Sequence, residues 1–466
     1  MYSISQNYKN LLENVIKSEI NNNFHISDFA GLADLAISIK NSLAKSIRNA
    51  LKNYFEKIDL DFKNSQYRKE KYYYKDSRSR TIITLFGEIT FNRYFYCDKD
   101  GSNGFYYVDK LLDFPKYDVY DPFIKALLME EKASSTFSKA AEIVSKRLTD
   151  ETGKEYKISR QEVFFIFKKF EIDEEYIESN STPISTENVY ILLDEKYVHT
   201  QQNDSPDDSP HNVMVKHAVL YTGKTKVGKN RYKLENKTVF SSLSDGMSFV
   251  EYIQSFVDKN VDINKIKNVI VAGDGARWIT SFYYDFSLIE KSNKLFVLDL
   301  FHVGQAITRM TTDEIERKIL RSYVDELDKK SFQQICEELI NNHPEKAEKI
   351  IKNRDYLLDR WKYIENIKNP LFIGCPMESH ISHDLAKVFT RDPKAYSTQN
   401  LEKHLKLRDL ALNNFDIRKL YLYQASNFEF IKSNYALESY SPVEDLYRDK
   451  RYQWLHDLAH PVLTVS

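Results

Sequence analysis

Cysteine is scarce in this sequence: three residues in 466, Cys97, Cys336 and Cys375, lie far apart and form no C-x-x-C pair. That spacing excludes a zinc knuckle and a disulfide framework and fits a reducing, cytoplasmic setting. No apolar run approaches the roughly 18 residues of a membrane span, and the amphipathic N-terminus lacks the apolar core of a secretory signal. The expectation is a soluble, cytoplasmic protein with no membrane partner. A surplus of one charge sign is missing too: 67 basic against 68 acidic residues give a net charge of −1. Without a global basic field, any nucleic-acid partner has to be met by local patches. What the chain does have is length enough for two to four domains and an unusual number of aromatics, 32 Tyr and 28 Phe.

Residues 268–310 organise the rest. Two short, β-branched apolar runs each deliver a carboxylate: 269–272 leads into Gly273-Asp274-Gly275, and 295–298 leads into Asp299, with His302 just beyond. Short runs bounded by Gly or polar residues read as buried strands. Glycines on both sides of Asp274 allow a tight turn that holds its carboxylate at the edge of a sheet, where open α/β folds gather ligands. The alternative is that Asp274 only caps the next turn or helix.

The N-terminal region, 1–75, carries helical spacing of Leu and Ile. Residues 61–80 interleave basic side chains, among them Lys71, Arg78 and Arg80, with Tyr67, Tyr72, Tyr73 and Tyr74. Such a mixture suits phosphate neutralisation with stacking on bases or sugars; the other reading is a solvated charged face. In the next region, 76–178, residues 81–96 alternate about Phe86-Gly87-Glu88 as a β-hairpin, and 122–170 turns helical. Ser159 reads as the N-cap of a helix that opens with Arg160 and Gln161 exposed and closes with Lys168 and Lys169. A helix-turn-helix presents its recognition helix to the major groove in this way; a plain packing module is the alternative. The acidic, turn-rich stretch at 171–186 reads as a linker.

The first part of the catalytic core is expected at 186–303. A strand at 189–193 ends in Asp194-Glu195; strands at 214–221 and 232–242, a helix at 247–257 and the two strands of the central stretch follow. Three strands, helix, strand, helix, strand is the order of the ribonuclease-H-like fold, an α/β domain with a mixed five-stranded sheet. Its first and fourth strands are neighbours, which sets Asp194 opposite Asp274. Lys224, Lys229 and Arg231 belong to this domain's most basic stretch, suited to tracking DNA backbone or to lying as a solvated hairpin. Residues 304–370 read as an all-α insertion. The core resumes at 371–397, where Gly374-Cys375-Pro376 breaks the helices and a helix from Met377 carries Glu378 in its first turn. The helix dipole favours a glutamate there, and from there it can also reach over the sheet edge. A helical tail, 398–466, closes the chain. His380 and His383 have no further ligand at matching spacing, which argues against zinc.

Two carboxylates at about 4 Å repel by roughly 4 kcal/mol at an effective dielectric near 20. A divalent cation removes that conflict, and an oxygen-rich set suits Mg²⁺ or Mn²⁺, two of which stabilise both attacking and leaving oxygens in phosphoryl transfer.

Five blocks in register, TLFGEITFNRYFY, YILLDEKYVHTQ, VAGDGARWI, VLDLFH and MESHISH, resemble the ISLre-type insertion-sequence transposases, bacterial DDE enzymes once filed as an uncharacterised protein family. The likeness runs from about Lys71 to Ser397. Where that family commonly reads MEGH, this chain has Ser379, and Asp392-Pro393 and Tyr396-Ser397 stand where Arg-Pro and Trp-Ser are usual. The resemblance implies a triad of Asp194, Asp274 and Glu378 holding two Mg²⁺ (or Mn²⁺) ions, with Asp299 and His302 matching an Asp-x-x-His that follows the second acid. His302 would then contact the scissile phosphate or a flanking nucleotide. It further implies DNA cleavage and strand transfer on double-stranded DNA, the terminal inverted repeats and the target, by a homo-oligomer that is at least a dimer. Two rivals share these features: a catalytically idle or domesticated copy acting as a DNA-binding regulator, and a ribonuclease-H-like metal nuclease or resolvase.

Overall fold

The computed structural model describes residue 17 and residues 29–112, 114–172, 183–201, 212–229, 231–286, 293–391 and 395–426. The expected linker therefore lies mostly outside the described residues, as does the end of the expected C-terminal tail.

A long helix α1 (Phe29–Asn64) is followed by the short α2 (Gln66–Lys71), which Ser65 caps by accepting from the Arg68 amide. Strands β1 (Tyr72–Thr84) and β2 (Gly87–Asp98) form an antiparallel hairpin, to which β3 (Gly104–Tyr106) adds an edge. The hairpin begins earlier than the alternation at 81–96 suggests, because the tyrosine-rich start of β1 stays paired as far back as Tyr72 opposite Asp98. α1 lies across this sheet, burying Phe55 against Ile82, Ile89 and Phe91, and Phe62 stacks on Tyr107 at 3.7 Å between ring centroids. Tyr107 opens a one-turn helix, α3 (Tyr107–Leu111).

Three helices follow: α4 (Pro122–Lys132), α5 (Phe137–Thr152) and α6 (Arg160–Lys169), capped in turn by Asp121, Thr136 and Ser159. The Ser159 cap expected from the sequence is present, with its hydroxyl accepting from the Glu162 amide at 3.0 Å. Gly153 ends α5 in the left-handed conformation that a helix C-terminus favours.

The central sheet comprises β4 (Asn188–His199), β5 (Asn212–Tyr221), then a separate two-stranded ribbon of β6 (Gly223–Gly228) and β7 (Arg231–Glu235), and then β8 (Thr238–Ser242). Helix α7 (Gly246–Asn260), β9 (Asn268–Gly273), α8 (Arg277–Asp285) and β10 (Asn293–Leu298) complete it. The strand order is β10-β9-β4-β5-β8, parallel from β10 to β4 and antiparallel from β4 to β8. It is thus a mixed five-stranded sheet with its first and fourth strands adjacent.

Two expectations need correction. β4 does not end at Leu193 but runs on to His199, held there by β5 alone. The single strand expected at 232–242 is two strands, because Asn236 adopts a left-handed conformation (φ 49°) that breaks it; Asn tolerates that region better than other non-glycine residues.

Side chains alternate across β4. Val189, Ile191 and Leu193 join α7 and α8 on one face. Tyr190, Leu192 and Val198 join the opposite face, covered by the helix at 377–389 and by α15 below. Beyond β10 come α9 (Leu300–Met310), α10 (Glu314–Glu326), α11 (Lys329–Asn342), α12 (Ala347–Asp359) and α13 (Trp361–Glu365), which share a core built on Phe332, Leu357 and Trp361. Helix α14, at 377–389, has an α-helical start (Met377–His380), a π-helical middle (Ile381–Ala386) and an α-helical end (Lys387–Phe389).

Helices α15 (Thr398–Leu412) and α16 (Ile417–Ser426) do not hang free as a tail. Leu407, Leu410, Ile417 and Leu420 complete the core of the α4–α6 module. Arg408 joins three parts at one point. Its guanidinium donates to the Ser134 hydroxyl between α4 and α5 (2.8 Å) and to the carbonyls of His383 and Asp384 (both 3.1 Å) in the π-helical turn. No described helix is long and apolar enough to cross a membrane.

Arg408→Ala leaves those buried acceptors without their donor and is expected to cost about 2–4 kcal/mol. Urea unfolding reads the loss, and unchanged stability would show that the guanidinium joins nothing.

Candidate active site

The parallel pairing of β4 with β9 stops at Leu192 opposite Ala272. The next residue of β9, Gly273, is pressed against β4: a Cβ there would stand 2.8 Å from the Leu193 carbonyl oxygen and 2.9 Å from Ile279. The chain then turns through Gly275 at φ +75°, a conformation that favours glycine. The Asp274 carboxylate closes this turn by accepting from the Ala276 amide at 2.7 Å. It therefore performs the capping role that was its structural alternative, without being withdrawn from the sheet edge. Two side chains of the helical segment clamp the same turn. The Tyr356 hydroxyl donates to the Asp274 carbonyl (2.6 Å), and Arg360 donates to the Gly275 carbonyl (3.1 and 3.3 Å).

Asp194 sits on β4 directly opposite His217 of β5, on the face that α14 covers. His302, in the first turn of α9, brings Nε2 to 3.8 Å from the Asp194 carboxylate. Burial pulls the His302 pKa down, but Asp194 first, then Asp274 and Asp299, outweigh it and leave the imidazole more basic than usual. Asp299 caps α9 through the Phe301 amide at 3.1 Å, and burial raises its pKa. Glu378 opens α14, and its pKa is raised by burial and then by the Asp194 charge. His302 thus feels the charges of Asp194 and Asp274, and Glu378 feels those of Asp194 and His302.

The donor set fits a hard divalent cation, being carboxylate oxygen from three elements. The nearby Cys375 does not compete as a thiolate, because burial pushes its pKa far up. The coordination sphere is not assembled: among the described residues, no three His, Cys, Asp or Glu side chains stand together closely enough to hold an ion. Asp194 and Asp274 instead spend one carboxylate oxygen each on backbone amides, those of Glu195 and Ala276.

Beneath the acids runs a buried polar chain that sequence reasoning missed. Asp384, in the π-helical turn, accepts from His380 Nδ1 at 2.7 Å and faces His217 Nε2 at 3.6 Å. Burial pushes its pKa up, but His217 and His380 outweigh that and hold it well below the usual carboxylate range. His217 Nδ1 meets the Ser241 hydroxyl at 2.9 Å, and that hydroxyl donates to Asp409 at 2.8 Å. π-helical turns of this kind frequently occur at functional sites. The one signal available in the sequence was the spacing of His380 and Asp384, one helical turn apart; His380 and His383, the pair considered for zinc, are not both committed to one partner.

The residues expected to meet DNA divide into three groups. Arg160 and Gln161 at the start of α6, and Lys168 and Lys169 at its end, are exposed, as are Lys71 and Arg78. Lys229 and Arg231 are exposed at the tip of the β6–β7 ribbon, whereas Lys224 ties that ribbon to the Ile373 carbonyl just ahead of α14. Arg80 is corrected. It is 9% exposed, with its guanidinium on the Asp109 carboxylate and the carbonyls of Pro115 and Asp118. It braces the hairpin and offers nothing to a phosphate.

The sequence model of the Uncharacterised protein family (UPF0236) matches residues 26–424. The chain belongs to the UPF0236 family. Among its relatives, UPF0236 protein TTE2489 of Caldanaerobacter subterraneus subsp. tengcongensis is 26% identical over 396 residues, 84% of this chain and 80% of the relative. A second from the same organism, whose name joins the designations TTE0610, TTE0881, TTE1053 and TTE2432, is 27% identical over 398 residues, 84% of this chain and 79% of the relative. A third, 26% identical over 419 residues, 88% of this chain and 82% of the relative, carries a name that joins eleven such designations, TTE0033 to TTE2212. None of these names states an activity. Among solved structures, the Drosophila P element transposase strand transfer complex aligns at a TM-score of 0.26 and 10% identity, covering 67% of this chain and 82% of that one; so low a score carries no argument about this UPF0236 protein.

Gly273→Ala forces its methyl against backbone and should cost about 1–3 kcal/mol, measured as a lower thermal midpoint. A midpoint equal to wild type would mean that the two strands do not close on each other there.

Proposed function

We propose that this UPF0236 protein is a metal-dependent DNA transposase whose catalytic domain is ribonuclease-H-like, with Asp194, Asp274 and Glu378 as its acidic triad. The reading is supported by the placement of Asp194 on β4, Asp274 in the turn after β9 and Glu378 in the first turn of α14, around the end of a five-stranded sheet of order 3-2-1-4-5 at which β4 and β9 part. Two further observations agree with it. A capped helix, α6, presents Arg160, Gln161, Lys168 and Lys169 to solvent beside that domain. The name of one relative joins eleven designations of a single organism, and repeated occurrence in one genome is what a self-mobilising element leaves behind.

In this reading Asp194, Asp274 and Glu378 hold two divalent ions, Mg²⁺ or Mn²⁺. When bound, these supply Lewis-acid activation of the attacking oxygen and charge stabilisation of the leaving one. The chain itself does the rest. The mutual repulsion of the three carboxylates would be offset by the bound ions. His302, kept basic by the acids around it, carries a proton on Nε2 toward the scissile phosphate and offsets its charge. Tyr356 and Arg360 keep the Asp274 turn from moving as DNA enters. Water then attacks the phosphorus and loses a proton, the 3′-oxygen leaves and takes one up to become a free 3′-hydroxyl while the other fragment keeps the 5′-phosphate, and that hydroxyl attacks a target phosphodiester, losing its proton as the target's own 3′-oxygen leaves and gains one. The α4–α6 module, Lys71, Arg78 and the ribbon tip with Lys229 and Arg231 grip the duplex ends. At least two copies bring a pair of ends together.

Asp274→Asn should reduce Mg²⁺-dependent cleavage of a duplex carrying the element's end by about a thousandfold while end binding persists; cleavage at the wild-type rate sinks the triad. Lys169→Ala should weaken binding to all duplexes alike and flatten the plot of log affinity against log salt by about one unit. A loss confined to one sequence would instead assign that lysine to base reading.

A further inference from the structure

One cavity lies outside the acidic edge but beside it. Helices α9 and α10 line an open, solvent-facing cleft of about 500 Å³ whose walls include Phe301, Gln305, Thr308, Arg309 and Arg321. Phe301 precedes His302 and is 40% exposed. Each guanidinium has a polar neighbour one helical turn away. Arg309 donates to the Gln305 side chain at 3.0 Å, and Arg321 Nε is paired with the Asp325 carboxylate at 3.2 Å. Gly304 forms the floor, where a Cβ would come within 3.3 Å of Arg321 Nη1. The cleft adjoins the acidic edge through α9, where Phe301 on its wall is the chain neighbour of His302.

Two guanidiniums lining one cleft match a phosphodiester, and an exposed ring at the same mouth gives a base somewhere to stack. We propose that the α9–α10 cleft is a subsite for an unpaired nucleotide of the strand being processed, with its phosphate on Arg309 and Arg321 and its base against Phe301. The subsite rests on the reading of the acidic edge as a DNA-processing site. An intact duplex is too wide to put a single base into it, so the cleft selects strand ends that have opened.

The test uses the full chain and a ten-nucleotide DNA carrying 2-aminopurine, offered single-stranded or as a blunt duplex, without divalent metal so that nothing is cut. Stacking on Phe301 should quench the 2-aminopurine of the single strand. Arg321→Gln should weaken single-strand binding by about tenfold and leave duplex binding unchanged, and Phe301→Leu should abolish the quench. The Arg321–Asp325 pair is solvent-exposed, so Arg321→Gln should unfold like wild type. Duplex binding that depends on Lys168 and Lys169, with single-strand affinity and quench untouched by either cleft variant, overturns the cleft alone. Failure of the wild-type chain to bind DNA in either form overturns both the cleft and the reading on which it rests.

Discussion

Strands β4 and β9 run together for five residue pairs and then separate, and the chemistry of this protein depends on where they do so. While they are paired, Val189, Ile191, Val269 and Val271 bury one face under α7 and α8. Tyr190, Leu192, Ile270 and Ala272 bury the other under α14 and α15. A carboxylate inside that stretch would be stranded in an apolar layer at a cost of several kcal/mol. One residue past the last apolar pair, with Gly273 letting the backbones touch and Gly275 turning the chain away, the same face can carry Asp194 and Asp274 together.

The acidic edge is braced by the structure around it. The helical segment between β10 and α14 supplies Tyr356 and Arg360, which fix the Asp274 turn from outside the sheet. The covering helix is pinned from below. Asp384 sits between His380 and His217, and His217 continues through Ser241 to Asp409 on α15. Arg408, the neighbour of Asp409, reaches the π-helical turn and the α4–α5 turn at once. Glu378 thus rides on a helix keyed both to the strand beside Asp194 and to the module that presents α6. Burial in such a network costs desolvation but specifies geometry when its members are partnered.

Much of the sheet was legible in the sequence because its strands are short apolar runs ended by Gly or Asp, and 269–272 and 295–298 could hardly be anything else. Ser159 announced its helix because an N-cap is a local interaction. What was not legible is what depends on distant chain. β4 outlasts its apolar run because β5 pairs with it as far as His199, and nothing within 189–193 says so. Arg80 looks like its basic neighbours in the sequence. Only the folded hairpin brings Asp109, Pro115 and Asp118 around it and withdraws it from solvent. His217 and Asp409 belong to strand and helix patterns that look purely structural; their partners lie far away in the chain. Residues 398–466 read as a tail because the apolar residues of their described part, 398–426, show a face but not what that face covers.

The central claim is that Asp194, Asp274 and Glu378 form one divalent-metal site. Anomalous diffraction from crystals soaked in Mn²⁺ tests it most directly. The expected result is anomalous density at the acidic edge that carries Asp194, Asp274 and Glu378, lost in Asp274→Asn. An acidic edge that stays empty at Mn²⁺ concentrations supporting DNA cleavage, or density that persists unchanged in Asp274→Asn, would contradict it.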